Sequence, residues 1–302
     1  MSEMKPRSWP PRIGRPKGNR RKRHRRRLML AVLPTMLTLG NGVCGLAAIA
    51  VAVSIALPWD PEVKLCVAGL LIFAGMLFDA LDGSAARLTN QSSQFGAELD
   101  SLCDAITFGA APAVILWRFS NVLPVRLSWA IGVLFALCVL MRLARFNVET
   151  EDEDSHEGFD GLPSPAAAGT IAAFVIAMPH LSSFHDEAYP EMIRWLATAT
   201  TSVLHYAVPG IALLLAYLMV SRFQYPHVVQ QWIGGRRSPH QIGQALFAVV
   251  GLFLLHELAL PLALCWFAFA SPLRSLWRRK HSSPWSVTPS EPESTTDHEQ
   301  AI

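Results

Sequence analysis

Between residues 79 and 104 the chain sets four aspartates, Asp79, Asp82, Asp100 and Asp104, among segments apolar enough to lie in a lipid bilayer. The first two are three residues apart and the last two are four apart. On helices these spacings separate the members of a pair by about 60° and about 40°, so each pair shares one face. Carboxylates beside hydrocarbon are costly unless something compensates them. A site for divalent cations accounts for that cost.

The 302 residues are 51% hydrophobic and only 16% charged, with a mean hydropathy of +0.30. That balance departs from a soluble domain and predicts a helical protein with several membrane spans. The net charge of +3 hides an asymmetry: twelve Lys or Arg residues fall between Lys5 and Arg27, with no acid after Glu3 in that stretch. An apolar run follows RKRHRRR directly, so the cluster reads as a cytoplasmic anchor attracted to anionic headgroups, not as a nucleic-acid arm. The run passes Ala50 without a small-residue cleavage site, which argues against a removable signal. Five cysteines form no CxxC pair, and neither structural zinc nor a disulfide scaffold is expected.

Residues 1–28 read as a disordered basic tail, 29–273 as the transmembrane domain carrying the chemistry, and 274–302 as a disordered C-terminal tail. Within the domain, spans are expected at Leu30–Leu57, from Leu65 into Asp79–Arg87, at Phe95–Trp117, Val125–Leu143, Ala166–Met178 and Tyr206–Val220. A polar loop to about Thr200 should precede the sixth, and acidic VETEDEDSHEGFDG should form an exposed loop after the fourth. The fifth, rich in Ala and Gly, should pack inside the bundle. The last apolar stretch, Ile242–Ala270, exceeds the roughly 20 residues of one upright span. Two spans turning near His256–Pro261 would keep RSLWRRK on the inner side with the other basic segments. The expected fold is therefore an all-α polytopic bundle of about eight spans. Asp79–Asp104, Arg142–Asn147 and the acidic loop all fall on its cytoplasmic side.

Mg²⁺ and Mn²⁺ take oxygen ligands, and two such ions would clamp a transferring phosphoryl group. Helix capping and a proton or cation pathway are the other roles open to such acids. Gly83 and Gly96 lack a Cβ, which lets a flat base or a pyrophosphate approach the backbone. Ala86 keeps that surface low, and Arg87 would meet a diphosphate or pair with an aspartate. Arg142 and Arg145, three apart, can face one site, and guanidinium forks suit a phosphate or a carboxylate. Asn41 and Asn147 offer amides to a headgroup. Neither a Lys-containing phosphate loop nor a hydrolase nucleophile elbow is present, which turns the reading away from ATP-driven chemistry.

The pattern D-x2-D-G-x2-A-R-x8-G-x3-D-x3-D, filled by Asp79, Asp82, Gly83, Ala86, Arg87, Gly96, Asp100 and Asp104, resembles the motif of the CDP-alcohol phosphatidyltransferases. The resemblance covers about residues 30–220. It implies that Asp79, Asp82 and Asp100 hold Mg²⁺ or Mn²⁺, two ions in all. Asp104 would act as general base, with a share in a metal, and the cytidine of a CDP-linked donor would lie near Gly83 and Gly96. Four further runs are similar to the branch that uses serine: PTMLTLGNGVCGLAAI, FGAELDSLCDAITFGAAPA, RLARFN and GLPSPAAAG. Thr107 stands where that branch commonly has serine, and Gly40 and Gly42 flank Asn41 where bulkier residues are usual. The implied reaction is CDP-diacylglycerol plus L-serine giving phosphatidylserine and CMP. The implied setting is a bacterial inner membrane with the site and both termini facing the cytoplasm, membrane lipids as partners, two copies of the chain together, and no nucleic acid. Glycerol 3-phosphate, inositol phosphate or choline is the alternative acceptor, and a cation-coupled transporter is the alternative class.

Overall fold

A computed structural model describes residues 18–89, 94–151, 161–221 and 260–270, and every regular element among them is helical. In chain order these are α1 (Gly18–Val53), α2 (Pro61–Thr89), α3 (Gln94–Asp104), a π-helical turn (Ala105–Ala110), α4 (Ala111–Phe119), α5 (Val125–Glu151), α6 (Ser164–Ser183) and α7 (Glu191–Val220). A short apolar helix, α8 (Leu260–Ala270), follows. Six segments are long and apolar enough to cross a membrane: Leu33–Val53, Pro61–Ser84, Gln94–Phe119, Val125–Val148, Ser164–Ser183 and Glu191–Val220. The protein is thus an integral, multi-pass, all-α membrane protein. The closing pair of spans expected at Ile242–Ala270 lies outside the described residues except for α8. So do both chain ends, although α1 already begins at Gly18, upstream of the boundary drawn at residue 28.

Each of the first six expected spans has a helical counterpart, and the differences lie at the ends. α2 starts at Pro61, ahead of Leu65, because proline fits the first helical position, where its missing N–H would have had no partner. The connection before it is held by Ser54, whose Oγ accepts from Leu57 N at 3.3 Å and whose carbonyl accepts from Lys64 Nζ at 3.1 Å. α5 runs past Leu143 to Glu151, so RLARFN stays helical, and residues 152–160 of the acidic loop lie outside the described residues. The largest correction is α7. Residues read as a polar loop up to Thr200 are helical from Glu191. The hydroxyls of Thr198, Thr200 and Thr201 donate to the carbonyls four residues back at 2.8, 2.8 and 2.9 Å, so these polar side chains are satisfied inside the helix.

α3, the π turn and α4 form one span. Pro112, just beyond the π turn, cannot donate to the Phe108 carbonyl, and the wider turn falls where the regular ladder would have been broken. α1 packs along α2, α2 against α6, and α5 against both α4 and α7. α6 is the most deeply buried of the six, its Ala167, Ala168, Ala172 and Ala173 letting neighbouring backbones close in. Gly161 enters α6 with φ +90°, and a Cβ there would lie 2.7 Å from the Met219 carbonyl oxygen. Leu162 N donates to the Leu218 carbonyl at 3.2 Å, tying the start of α6 to the end of α7.

Candidate functional site

α2 brings Asp79 and Asp82 to the end of its apolar section, and α3 brings Asp100 and Asp104 to the start of the next span. One carboxylate oxygen from each of Asp79, Asp82 and Asp100 lies within 4.8 Å of the other two. Asp82 is 5% exposed, while Asp79 and Asp100 are half-buried. Asp82 Oδ2 and Asp100 Oδ1 are buried with no hydrogen-bond partner among the described residues. Three converging hard oxygens, on carboxylates two of which carry a buried unsatisfied oxygen, fit a divalent cation of the Mg²⁺ or Mn²⁺ type. The Thr38 hydroxyl and the Gly83 backbone N–H also meet the Asp82 carboxylate.

Asp104 stands outside that group of three. Its Oδ1 accepts from Asn41 Nδ2 at 2.8 Å, and it lies within electrostatic reach of Asp79 and Asp100 and of Arg142. Asn41, expected to offer its amide to a headgroup, is fully buried and gives it to a carboxylate instead. The π turn begins at the residue after Asp104, and such turns recur at functional sites because they re-aim the side chains around them.

Around this carboxylate the other helices supply polar groups. Arg142 Nη1 donates to Ser164 Oγ at 2.9 Å, and its buried Nε has no partner among the described residues. Ser101 Oγ and the Asn147 side-chain amide lie 3.0–3.1 Å apart. α5 therefore presents Arg142 toward α6 and Asn147 toward α3, with half-buried Arg145 between them in sequence. Ser101, Ser164 and Thr38 were not singled out from the sequence. All three lie in runs that were, but only the fold reveals their partners. A Cβ on Gly83 would meet nothing within 4 Å among the described residues. Gly96 is half-buried on α3. Ala86 and Arg87 lie on α2, and their side chains fall outside the described residues.

Comparison with known proteins agrees with this geometry. The family model for CDP-alcohol phosphatidyltransferase matches residues 31–204, which contain every helix that carries an acid of the cluster. The chain belongs to that family. Its members transfer a substituted phosphate from a CDP-linked alcohol and use a divalent metal, and the aspartate cluster here is compatible with that requirement. Among similar proteins, a CDP-diacylglycerol–serine O-phosphatidyltransferase of Mycobacterium bovis is 28% identical over 289 residues, covering 92% of this chain and 88% of the relative. One of the same name from Bacillus subtilis is 31% identical over 195 residues, 65% of this chain and 90% of its own. An archaetidylserine synthase of Methanothermobacter thermautotrophicus is 32% identical over 204 residues, 65% and 70% respectively.

Proposed function

We propose that this phosphatidyltransferase moves the phosphatidyl group of CDP-diacylglycerol to L-serine, giving phosphatidylserine and CMP. The observation that carries the reading is the meeting of three carboxylates with a fourth, Asp104, that has an arginine nearby, at one end of a membrane-embedded bundle. The printed names of the relatives support serine as the acceptor.

In this reading Asp79, Asp82 and Asp100 hold one or two Mg²⁺ or Mn²⁺ ions. When bound, these offset the negative charge of the diphosphate and of departing CMP. Gly83, where a Cβ would be unobstructed by the described residues, and Gly96 flank the nucleotide, and Ala86 and Arg87 belong to the same donor surface. The serine hydroxyl oxygen bonds to the phosphorus that carries diacylglycerol. The bond from that phosphorus to the CMP oxygen breaks, and the hydroxyl proton passes to Asp104. Arg142 and Arg145 supply guanidinium groups for the serine carboxylate, with Ser164 fixing one Arg142 nitrogen. Asn147, braced by Ser101, offers its amide to the same headgroup. The acyl chains stay among lipid while the polar substrates arrive from the side bearing the basic segments. That side is the cytoplasmic face of a bacterial inner membrane by the positive-inside bias. The unit between residues 29 and 273 is the catalytic domain, and association of two copies belongs to the same proposal.

The test is CMP release by purified protein supplied with CDP-diacylglycerol, divalent metal and labelled serine. Label should enter lipid in step with CMP. Release driven by glycerol 3-phosphate, inositol phosphate or choline, and not by serine, would replace the acceptor. Substrate flux across liposomes without CMP formation would replace the reaction.

A further inference from the structure

Thr107 bonds differently from four other threonines of the bundle. Thr170, Thr198, Thr200 and Thr201 each turn the hydroxyl to the carbonyl four residues back on their own helix. Thr107, on the π turn and fully buried, instead donates across to the Asn41 backbone carbonyl on α1 at 2.9 Å. Gly45, one helical turn beyond Asn41, makes that approach possible: a Cβ on it would lie 2.7 Å from Thr107 Cα and 2.9 Å from Thr107 N. Gly75 on α2 does the same from the other side, where a Cβ would lie 2.6 Å from Thr107 Cγ2 and 2.9 Å from Asn41 Oδ1. The backbone of Asn41 is thus held by the turn that follows Asp104, while its side chain reaches Asp104 itself. A carboxylate only accepts, so the amide must present its NH₂ to it.

We infer that Asn41 is a positioning residue for Asp104, and that Thr107 on the π turn sets Asn41. The inference deepens the proposed function and rests on Asp104 receiving the acceptor proton. With one oxygen of Asp104 held by the buried amide, one oxygen is left for that proton, and its direction is fixed before the acceptor arrives. Asn41 is 0% exposed, and so acts through Asp104 and not by touching the headgroup.

The experiment compares Asn41→Leu, Thr107→Val and Thr107→Ser in the full-length protein, measuring kcat and both KM values with CDP-diacylglycerol. Asn41→Leu removes the donor at similar volume. Thr107→Val removes the hydroxyl and keeps the shape, and Thr107→Ser keeps the hydroxyl. The first two should lower kcat by about 10–100-fold, the usual scale for a misdirected reacting group. Both KM values should stay within about twofold, as expected for an interaction made only in the transition state. Thr107→Ser should restore kcat to within about twofold of the parent. Unchanged kcat in Thr107→Val would overturn the inference. So would a raised serine KM at unchanged kcat in Asn41→Leu, which would make Asn41 an acceptor contact. The shape-conserving threonine pair decides the matter even where Asn41→Leu fails to insert. If the parent protein releases CMP with an acceptor other than serine, only the headgroup reading fails. The same ratios are then read with that acceptor.

Discussion

The α2–α6 seam and the seam where α1 and α2 meet the π turn both depend on glycine, yet glycine serves different ends in them. On α6, Gly169 faces the Met76 thioether, with Cε 3.2 Å and Sδ 3.4 Å from where a Cβ would stand. Its neighbours Ala168, Ala172 and Ala173 are buried and apolar, and the one buried hydroxyl nearby, Thr170, is satisfied within its own helix. At the π turn, Gly45 and Gly75 face Thr107 and Asn41, both fully buried and polar. That seam leads to Asp82 Oδ2 and Asp100 Oδ1, buried oxygens without a partner among the described residues. The first seam is closed by dispersion, and at Gly169 it meets the flexible end of a side chain. The second holds polar groups at fixed positions against the cost of burying them, which is where function and stability pull apart.

Asp100→Asn should separate those two quantities most sharply. Turnover should fall by roughly a thousandfold or more, the loss expected when several kcal/mol of metal-assisted stabilisation disappears. Metal-free thermal stability in detergent should not fall, because the substitution removes one charge from a crowded acidic cluster in which two buried carboxylate oxygens have no hydrogen-bond partner among the described residues. Turnover within tenfold of the parent would detach Asp100 from the ligand set.

Gly45→Ala comes next in size. Its Cβ would press on backbone atoms of Thr107, which cannot rotate away. Overpacking of this kind costs about 1–3 kcal/mol. A lower melting temperature should therefore accompany a loss of kcat, since the displaced turn is the one beside Asp104. A melting temperature lowered at full kcat would show that the seam supports the fold but not the site.

Much of this was legible in the sequence, and the parts that were not share a physical cause. The spans follow from apolar runs of membrane-crossing length, and the acidic cluster from spacing that puts pairs of aspartates on single helix faces. The early start of α7 was hidden because Thr198, Thr200 and Thr201 look like loop residues until their hydroxyls bond back into the helix. The family resemblance already set Asp104 apart from the other three acids, but the contact that holds it in the fold was equally hidden. It arises from Asn41, 63 residues away in sequence, and no local pattern announces such a partner. Ser101 and Ser164 sit in recognisable runs, but their bonds to Asn147 and Arg142 exist only once α3, α5 and α6 have packed.

Gly169→Ala should have the smallest effect, and it tests the comparison from its quieter side. The new methyl meets the far end of a methionine side chain, which has several rotatable bonds and adapts to small changes in the space around it. Replacing a mid-helix glycine by alanine also favours the helix by about 0.5–1 kcal/mol. The two effects should nearly cancel, leaving melting temperature and kcat close to the parent values. Gly69, across the same seam, is the internal control. A Cβ there would lie 2.9 Å from the Ala172 carbonyl oxygen, a backbone atom that cannot yield, so Gly69→Ala should lower stability while leaving kcat per folded molecule intact. If Gly169→Ala instead depressed kcat as Gly45→Ala is expected to, the α6 seam would be coupled to the aspartate site. The distinction between a packing seam and a positioning seam would then have to be given up.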